Sequence, residues 1–239
     1  MIIAANLKTN LTRKQTSEYI EELENYLKKS DSTQEVLVFP ATSSLDSFDG
    51  GVTVGAQNAY ATKNGAFTGE IGLDHLDEFS IKTILIGHSE RRHILGETQT
   101  TIIEKFNFYK NLGFKIVYCV GEPLEKREAS KDEMMEYISS QYEGIDTEYE
   151  NLIIAYEPVW AIGTGLTPTL EDIQQIHSEL KIKSKAPLLY GGSVKVTNAK
   201  EVLALENVDG ILVGSAALYA EHFCSMISYA DQLTNKQER

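Results

Sequence analysis

Residues 84–92 read Ile84-Leu85-Ile86-Gly87-His88-Ser89-Glu90-Arg91-Arg92. Three consecutive aliphatic residues with no polar alternation describe a strand covered on both faces, as in a parallel sheet flanked by helices. A glycine ends the run, and every residue after it is polar or titratable. Such a strand presents its chemistry at its C-terminal end, where ligands sit in both barrels and doubly wound sheets.

The same pattern recurs along the chain. Apolar, β-branched runs predict strands at 2–6, 35–39, 52–56, 83–87, 115–120, 152–156, 187–190 and 210–213. Helical periodicity fills most of the gaps, at 13–29, 98–111, 131–142, 170–183 and 216–232, with shorter patches near 43–48, 72–79 and 198–205. Thr169, with Asp172 three residues on, reads as an N-cap with a capping-box partner. Eight alternations of strand and helix predict a (β/α)8 barrel or a doubly wound sheet. No Pro/Gly/Ser-rich linker divides the 239 residues, so one domain spanning 1–239 is expected.

Composition narrows the function classes. Hydrophobic residues at 42% and charged residues at 24% exclude a disordered or fibrous chain. No apolar run is long enough to cross a bilayer, and no membrane partner is expected. The start, Met1 to Asn6, has neither a basic segment nor a long apolar stretch, so no export signal is expected there. Two cysteines, Cys119 and Cys224, cannot build a disulfide framework and show no metal-ligand spacing. A reducing, cytoplasmic setting is expected. With 22 basic and 35 acidic residues the net charge is −13, and no basic run suggests a nucleic-acid partner.

The strand ends hold the candidate chemistry. The first ends in Asn6-Leu7-Lys8, and a lysine there can meet an anion, although a lone lysine is usually a solvated one. His88 can donate a hydrogen bond or shuttle a proton, or serve only the loop it begins. Glu90 reads equally as a surface ion pair with Arg91 or Arg92. The sixth strand ends in Glu157, followed by Pro158-Val159-Trp160-Ala161-Ile162-Gly163-Thr164-Gly165. A carboxylate under an apolar, glycine-bounded loop is desolvated when that loop closes, which makes it a stronger base. Glycine turns follow strands seven (Tyr190-Gly191-Gly192-Ser193-Val194) and eight (Gly214-Ser215), and paired turns of this kind can cradle a phosphate. Cys119 and Cys224 read as small apolar residues. His75, His93, His177 and His222 carry no assigned role.

Taken in order, these strings resemble the triosephosphate isomerase family along the whole chain. The matching segments are Asn6-x-Lys8-x-Asn10, Val54-Gly55-Ala56-Gln57-Asn58, Gly65-Ala66-Phe67-Thr68-Gly69-Glu70, the 87–92 string, Cys119-x-Gly121-Glu122, residues 155–165, Tyr190 to Val194, and Val213-Gly214. The resemblance implies a single-domain (β/α)8 TIM barrel that interconverts dihydroxyacetone phosphate and D-glyceraldehyde 3-phosphate through an enediolate. It implies Glu157 as the base, His88 as a neutral electrophile, Lys8 and Asn6 at the developing charge, and Glu90 in the supporting network. Phosphate would meet Asn6, Lys8, Gly163, Ser193, Gly214 and Ser215, and Tyr190 and Ser193 would help hold a closed lid. No cofactor and no metal is implied. A homodimer is, in which Thr68 reaches toward the partner's first-strand end, with Glu70 and Arg91 as candidates for fixing that loop.

Four departures from the family pattern stand out. Leu7 replaces a tryptophan, Leu166-Thr167-Pro168 replaces the usual lid hinge, Ser215 replaces a glycine, and residues 40–51 are short, so a truncated second helix is expected. Another phosphate-binding barrel enzyme would share the glycine turns but not Lys8, His88 and Glu157 in these flanks, and a non-catalytic barrel would be expected to lack one of the three. With the acidic surplus on outer helices such as 18–24 and 132–136, a negative protein with one positive mouth is expected.

Overall fold

The computed structural model describes residues 1–162 and 166–237. Among the described residues there are eight strands: β1 (Ile2–Asn6), β2 (Glu35–Phe39), β3 (Val52–Val54), β4 (Thr83–Ile86), β5 (Lys115–Val120), β6 (Leu152–Tyr156), β7 (Leu188–Tyr190) and β8 (Gly210–Val213). Every ladder is parallel, in the order β3-β2-β1-β8-β7-β6-β5-β4. The seam between β3 and β4 is closed by one bridge, Ala56 to Ile84, where Ala56 N–H donates to Thr83 O and Leu85 N–H to Ala56 O, both at 2.9 Å. The sheet is therefore a barrel rather than an open doubly wound sheet. β3 is shorter than expected because the chain changes neighbours there. Gly55 N–H still bonds Val38 of β2, while Ala56 already bonds β4.

Around the barrel lie α1 (Arg13–Ser30), α2 (Leu73–Glu78), α3 (Ser89–His93), α4 (Gln99–Asn111), α5 (Leu124–Arg127), α6 (Lys131–Ser140), α7 (Leu170–Lys183), α8 (Val196–Leu203) and α9 (Ala220–Gln237). Thr169 caps α7 as its sequence implies, accepting from Asp172 N–H at 3.1 Å while the Asp172 carboxylate accepts from Thr169 N–H at 3.1 Å. α3 and α5 are not anticipated by periodicity, being too short to show a repeat. The last helix begins later than expected, after a 3-10 turn over Ser215–Leu218.

Alternate strand residues face opposite sides. Ala4, Leu37, Leu85, Val117, Ile153 and Leu189 fill the barrel, while their neighbours Ile3, Val36, Ile84, Ile116, Ile154 and Leu188 pack under the helices. Continuing the same alternation, Asn6 and Glu157 follow Ala4 and Ala155 toward the barrel axis. This period places these candidate site residues at one rim.

The expected truncated second helix is absent: residues 40–51 hold one 3-10 turn, Thr42–Ser44. The arc is tied to two side chains of α1 and to a main-chain carbonyl of the loop before it. Ser44 Oγ donates to Leu11 O at 3.0 Å, Arg13 reaches Asp46 at 2.6 Å, and the buried Glu24 carboxylate accepts from Gly51 N–H at 3.0 Å and Val52 N–H at 2.7 Å. Leu45 is buried and takes up part of the apolar cover a helix would supply.

His177 on α7 is fully enclosed, its ring beside Tyr156 and Tyr190, with Nδ1 2.9 Å from Asn207 O. Burial lowers its pKa to about 4. Below the ordinary histidine value near 6.5, the unfolded chain gains a proton that the folded one refuses until about pH 4. Folding stability should therefore fall by about 3 kcal/mol as pH drops from about 6.5 to about 4. Urea unfolding of the native chain and of His177→Gln across this window checks it. Equal pH slopes in the two proteins would refute the assignment.

Candidate active site

At the C-terminal rim a cavity of about 300 Å³ opens over the barrel axis, with Asn6, Lys8, His88, Glu90, Glu157, Ser193, Gly214 and Ser215 all in its wall. β1 supplies Asn6 and Lys8, β4 leads to His88, β6 to Glu157, and the turns after β7 and β8 supply the rest. Eight residues named from strand ends thus meet in one place.

Glu157 sits immediately after β6 and is only 2% exposed. A buried carboxylate requires partners, and two are present. Oε1 lies 2.9 Å from His88 Nε2, and Oε2 accepts from Ser89 N–H at 2.9 Å. His88 is the N-cap of α3, and its Nδ1 accepts from Glu90 N–H at 3.3 Å. With Nδ1 accepting, the proton of a neutral ring resides on Nε2, which donates to Glu157.

The electrostatics follow from this arrangement. Burial alone pushes the Glu157 carboxyl upward, but His88 and the Ser89 N–H outweigh it and hold the acid below its ordinary value. Burial likewise pushes His88 down, and the Glu157 carboxylate outweighs it and holds the ring above its ordinary value. Both shifts depend on the contact between the two groups. If Glu157 moves away from His88, desolvation is left as the main influence on each. The carboxylate then becomes more basic and the imidazole harder to protonate.

Lys8 lies across the cavity. Its backbone is left-handed, at φ 52°, and its N–H donates to Asn6 Oδ1 at 3.0 Å. Its ammonium is 2.6 Å from Glu90 Oε1. Glu90 therefore pairs with Lys8, whereas Arg91 turns to Glu97 at 2.9 Å. On the far wall Ser215 begins its 3-10 turn without a positive φ, so the serine replaces glycine there without backbone strain.

The cavity wall is not the positive mouth expected from the sequence. Among the described residues it carries Lys8 and Lys195 against Glu90 and Glu157, a balanced set. Pull on an anion must come from the placement of Lys8 and the turn N–H groups, not from an excess of cations.

A model of the triosephosphate isomerase family matches residues 1–230. The chain belongs to the triosephosphate isomerase family. Curated relatives carry that name: one from Sulfurimonas denitrificans is 71% identical over the full length of both chains. Another from Sulfurovum sp. is 58% identical over 95% of this chain and 99% of its own, and one from Wolinella succinogenes 54% over the same shares.

Within this family member, Gly163 lies outside the described residues. Thr68 is exposed on the loop after Tyr60, where Phe67 stacks on Tyr60 at 4.4 Å, and it does not line the cavity of its own chain. The Ser89 N–H was not foreseen, because main-chain donors leave no mark on residue type. In the sequence Glu122 is marked only by its place in Cys119-x-Gly121-Glu122. Fully buried, it accepts through Oε1 from Tyr156 OH at 3.0 Å and Trp160 Nε1–H at 2.9 Å. Its acid is held above the ordinary value by burial, against the Trp160 N–H. It anchors the start of the loop that follows Glu157. Cys119 lies under Glu157, and burial pushes its thiol well up, which makes it inert.

Glu122→Leu should leave the Tyr156 and Trp160 donors without that acceptor and cost about 2 kcal/mol. Trp160 is the chain's single tryptophan, so its emission should move to longer wavelength. An unshifted emission spectrum would show that Glu122 does not set the indole.

Proposed function

We propose that the chain interconverts dihydroxyacetone phosphate and D-glyceraldehyde 3-phosphate, with Glu157 as the base. The observation that carries this reading is the buried Glu157 carboxylate 2.9 Å from His88 Nε2, in one cavity with Lys8. Proton abstraction beside a carbonyl needs one base and donors aimed at the oxygen where charge develops, and this set supplies both.

In this reading the phosphate rests on the turns carrying Ser193, Gly214 and Ser215, with Gly163 completing the cradle, and the carbonyl end lies between His88 and Lys8. Glu157 leaves His88 and the Ser89 N–H to reach the carbon-bound proton. The C–H electron pair becomes the enediolate double bond, and charge moves onto the carbonyl oxygen. His88 Nε2–H and the Lys8 ammonium stabilise that oxygen, and Asn6 adds a donor. His88 Nε2 passes its proton to that oxygen and takes the hydroxyl proton of the adjacent carbon in exchange, while Glu157 returns the carbon-bound proton to the former carbonyl carbon, so the aldose–ketose exchange is completed with nothing gained or lost. Closing the apolar loop over the site strengthens each of these interactions by excluding water.

The finer reading includes a cytoplasmic glycolytic and gluconeogenic role, one domain spanning 1–239, and a homodimer. For the dimer, a second cavity of about 440 Å³ adjoins the first, lined by Lys8, Asn10, Gln57 and Leu95 among others, and offers room for the exposed Thr68 loop of a second copy.

Two measurements test this. In a coupled isomerase assay, Glu157→Gln and His88→Ala should each lower kcat by at least about 100-fold, and turnover within tenfold of native in either would overturn the roles. Thr68→Arg should shift the sedimenting mass from two chains to one and lower kcat. A one-chain species with native kcat would remove the partner from the reaction.

A further inference from the structure

Gly87 and His88 join β4 to α3, and their shared peptide decides where the imidazole points. Period-2 alternation would send His88 to the helix side, because Leu85 faces the barrel. Gly87, at φ 77°, turns the chain so that His88 faces the cavity instead. That conformation is open to glycine and needs a restraint to hold it in one place.

Arg92 provides the restraint by holding the two peptides that flank the His88 Cα. Its main-chain N–H donates to His88 O at 3.1 Å, and its side-chain Nε donates to Gly87 O at 2.7 Å. The rest of the guanidinium is fixed in turn. Nη1 donates to Gln99 Oε1 at 2.7 Å, and Nη2 to Tyr118 OH at 2.9 Å and Cys119 O at 3.3 Å. Tyr118 OH donates to Gln141 O, and the Gln141 amide brackets Gly121, accepting from its N–H at 3.0 Å and donating to its O at 2.8 Å. Gly121 packs directly on the Glu157 backbone, where an added Cβ would come within 1.7 Å of Glu157 O. One polar chain thus runs from the peptide of His88 to the backbone of Glu157.

We propose that Arg92 is a positioning residue for the isomerisation, holding the Gly87–His88 peptide so that Nε2–H meets the substrate oxygen. Arg92 does not line the cavity and touches no reacting atom. It acts by fixing the imidazole and, through Tyr118 and Gln141, the spacing between His88 and Glu157. A planar fork is needed for these simultaneous bonds, so lysine cannot replace it. The proposal rests on the role of His88 given above.

The test compares Arg92→Met, Arg92→Lys and Tyr118→Phe with the native enzyme and with His88→Ala. Misplacing the imidazole should lower kcat of Arg92→Met and Arg92→Lys by about 30- to 100-fold. KM should stay within about threefold, because the phosphate turns are untouched. The His88 imidazole 15N resonances, read with bound 2-phosphoglycolate, should shift or broaden in both variants. Tyr118→Phe keeps the Nε bond and should show a smaller kcat loss, about three- to tenfold, with the same spectroscopic sign. If the Arg92 variants do not fold, Tyr118→Phe decides the matter by itself. Native kcat and native His88 resonances in a folded Arg92 variant, or in Tyr118→Phe where those do not fold, would overturn the proposal. If His88→Ala retains activity, the role of His88 itself fails, which is a separate result.

Discussion

The structure depends on one buried charge. Glu157 closes β6 with its carboxylate out of water, and such a group is tolerated only when its oxygens are met by donors. Meeting them brings two strand ends into register. β4 must end where His88 and the Ser89 N–H can face β6, and α3 must start there to present that N–H. The contact that stabilises the charge at rest also holds back its basicity. A carboxylate that must first leave its donors is unreactive until something replaces them.

Much of this architecture was legible from residue type. Continuous apolar runs such as Ile84 to Ile86 mark strands buried on both faces, and five of the eight strands have the expected bounds. Capping at Thr169 was equally readable, since it depends on residues three apart. α3 and α5 were not, because helices of five and four residues leave no periodic trace. The missing second helix was foreseen only as a shortening. What replaces it, the Glu24 carboxylate on two N–H groups from another part of the chain, cannot be read from local pattern.

The site divides along the same line. Asn6, Lys8, His88, Glu90, Glu157, Ser193, Gly214 and Ser215 stand at strand ends, so topology alone gathers them. Their pairings are a different matter. Glu90 has two arginines as its next neighbours in the sequence and nevertheless binds Lys8, because α3 turns Arg91 toward Glu97 and Arg92 toward Gly87. The balanced charge of the mouth follows from those pairings. Counting acidic residues on outer helices says nothing about which carboxylates line a cavity.

The arc between β2 and β3 has a consequence for how the barrel can change. Elsewhere the sheet is roofed by helices whose removal would bare apolar strand residues. Over this sector the roof is a short strap fastened at Ser44, Asp46 and Glu24, with Leu45 beneath it. The fastenings belong to α1 and the loop before it, not to the residues gathered at the rim. The sector is a natural splice point. Extra chain could be spliced in, or a tag carried, at the strap while the rim keeps its geometry, provided the anchors on α1 are left intact.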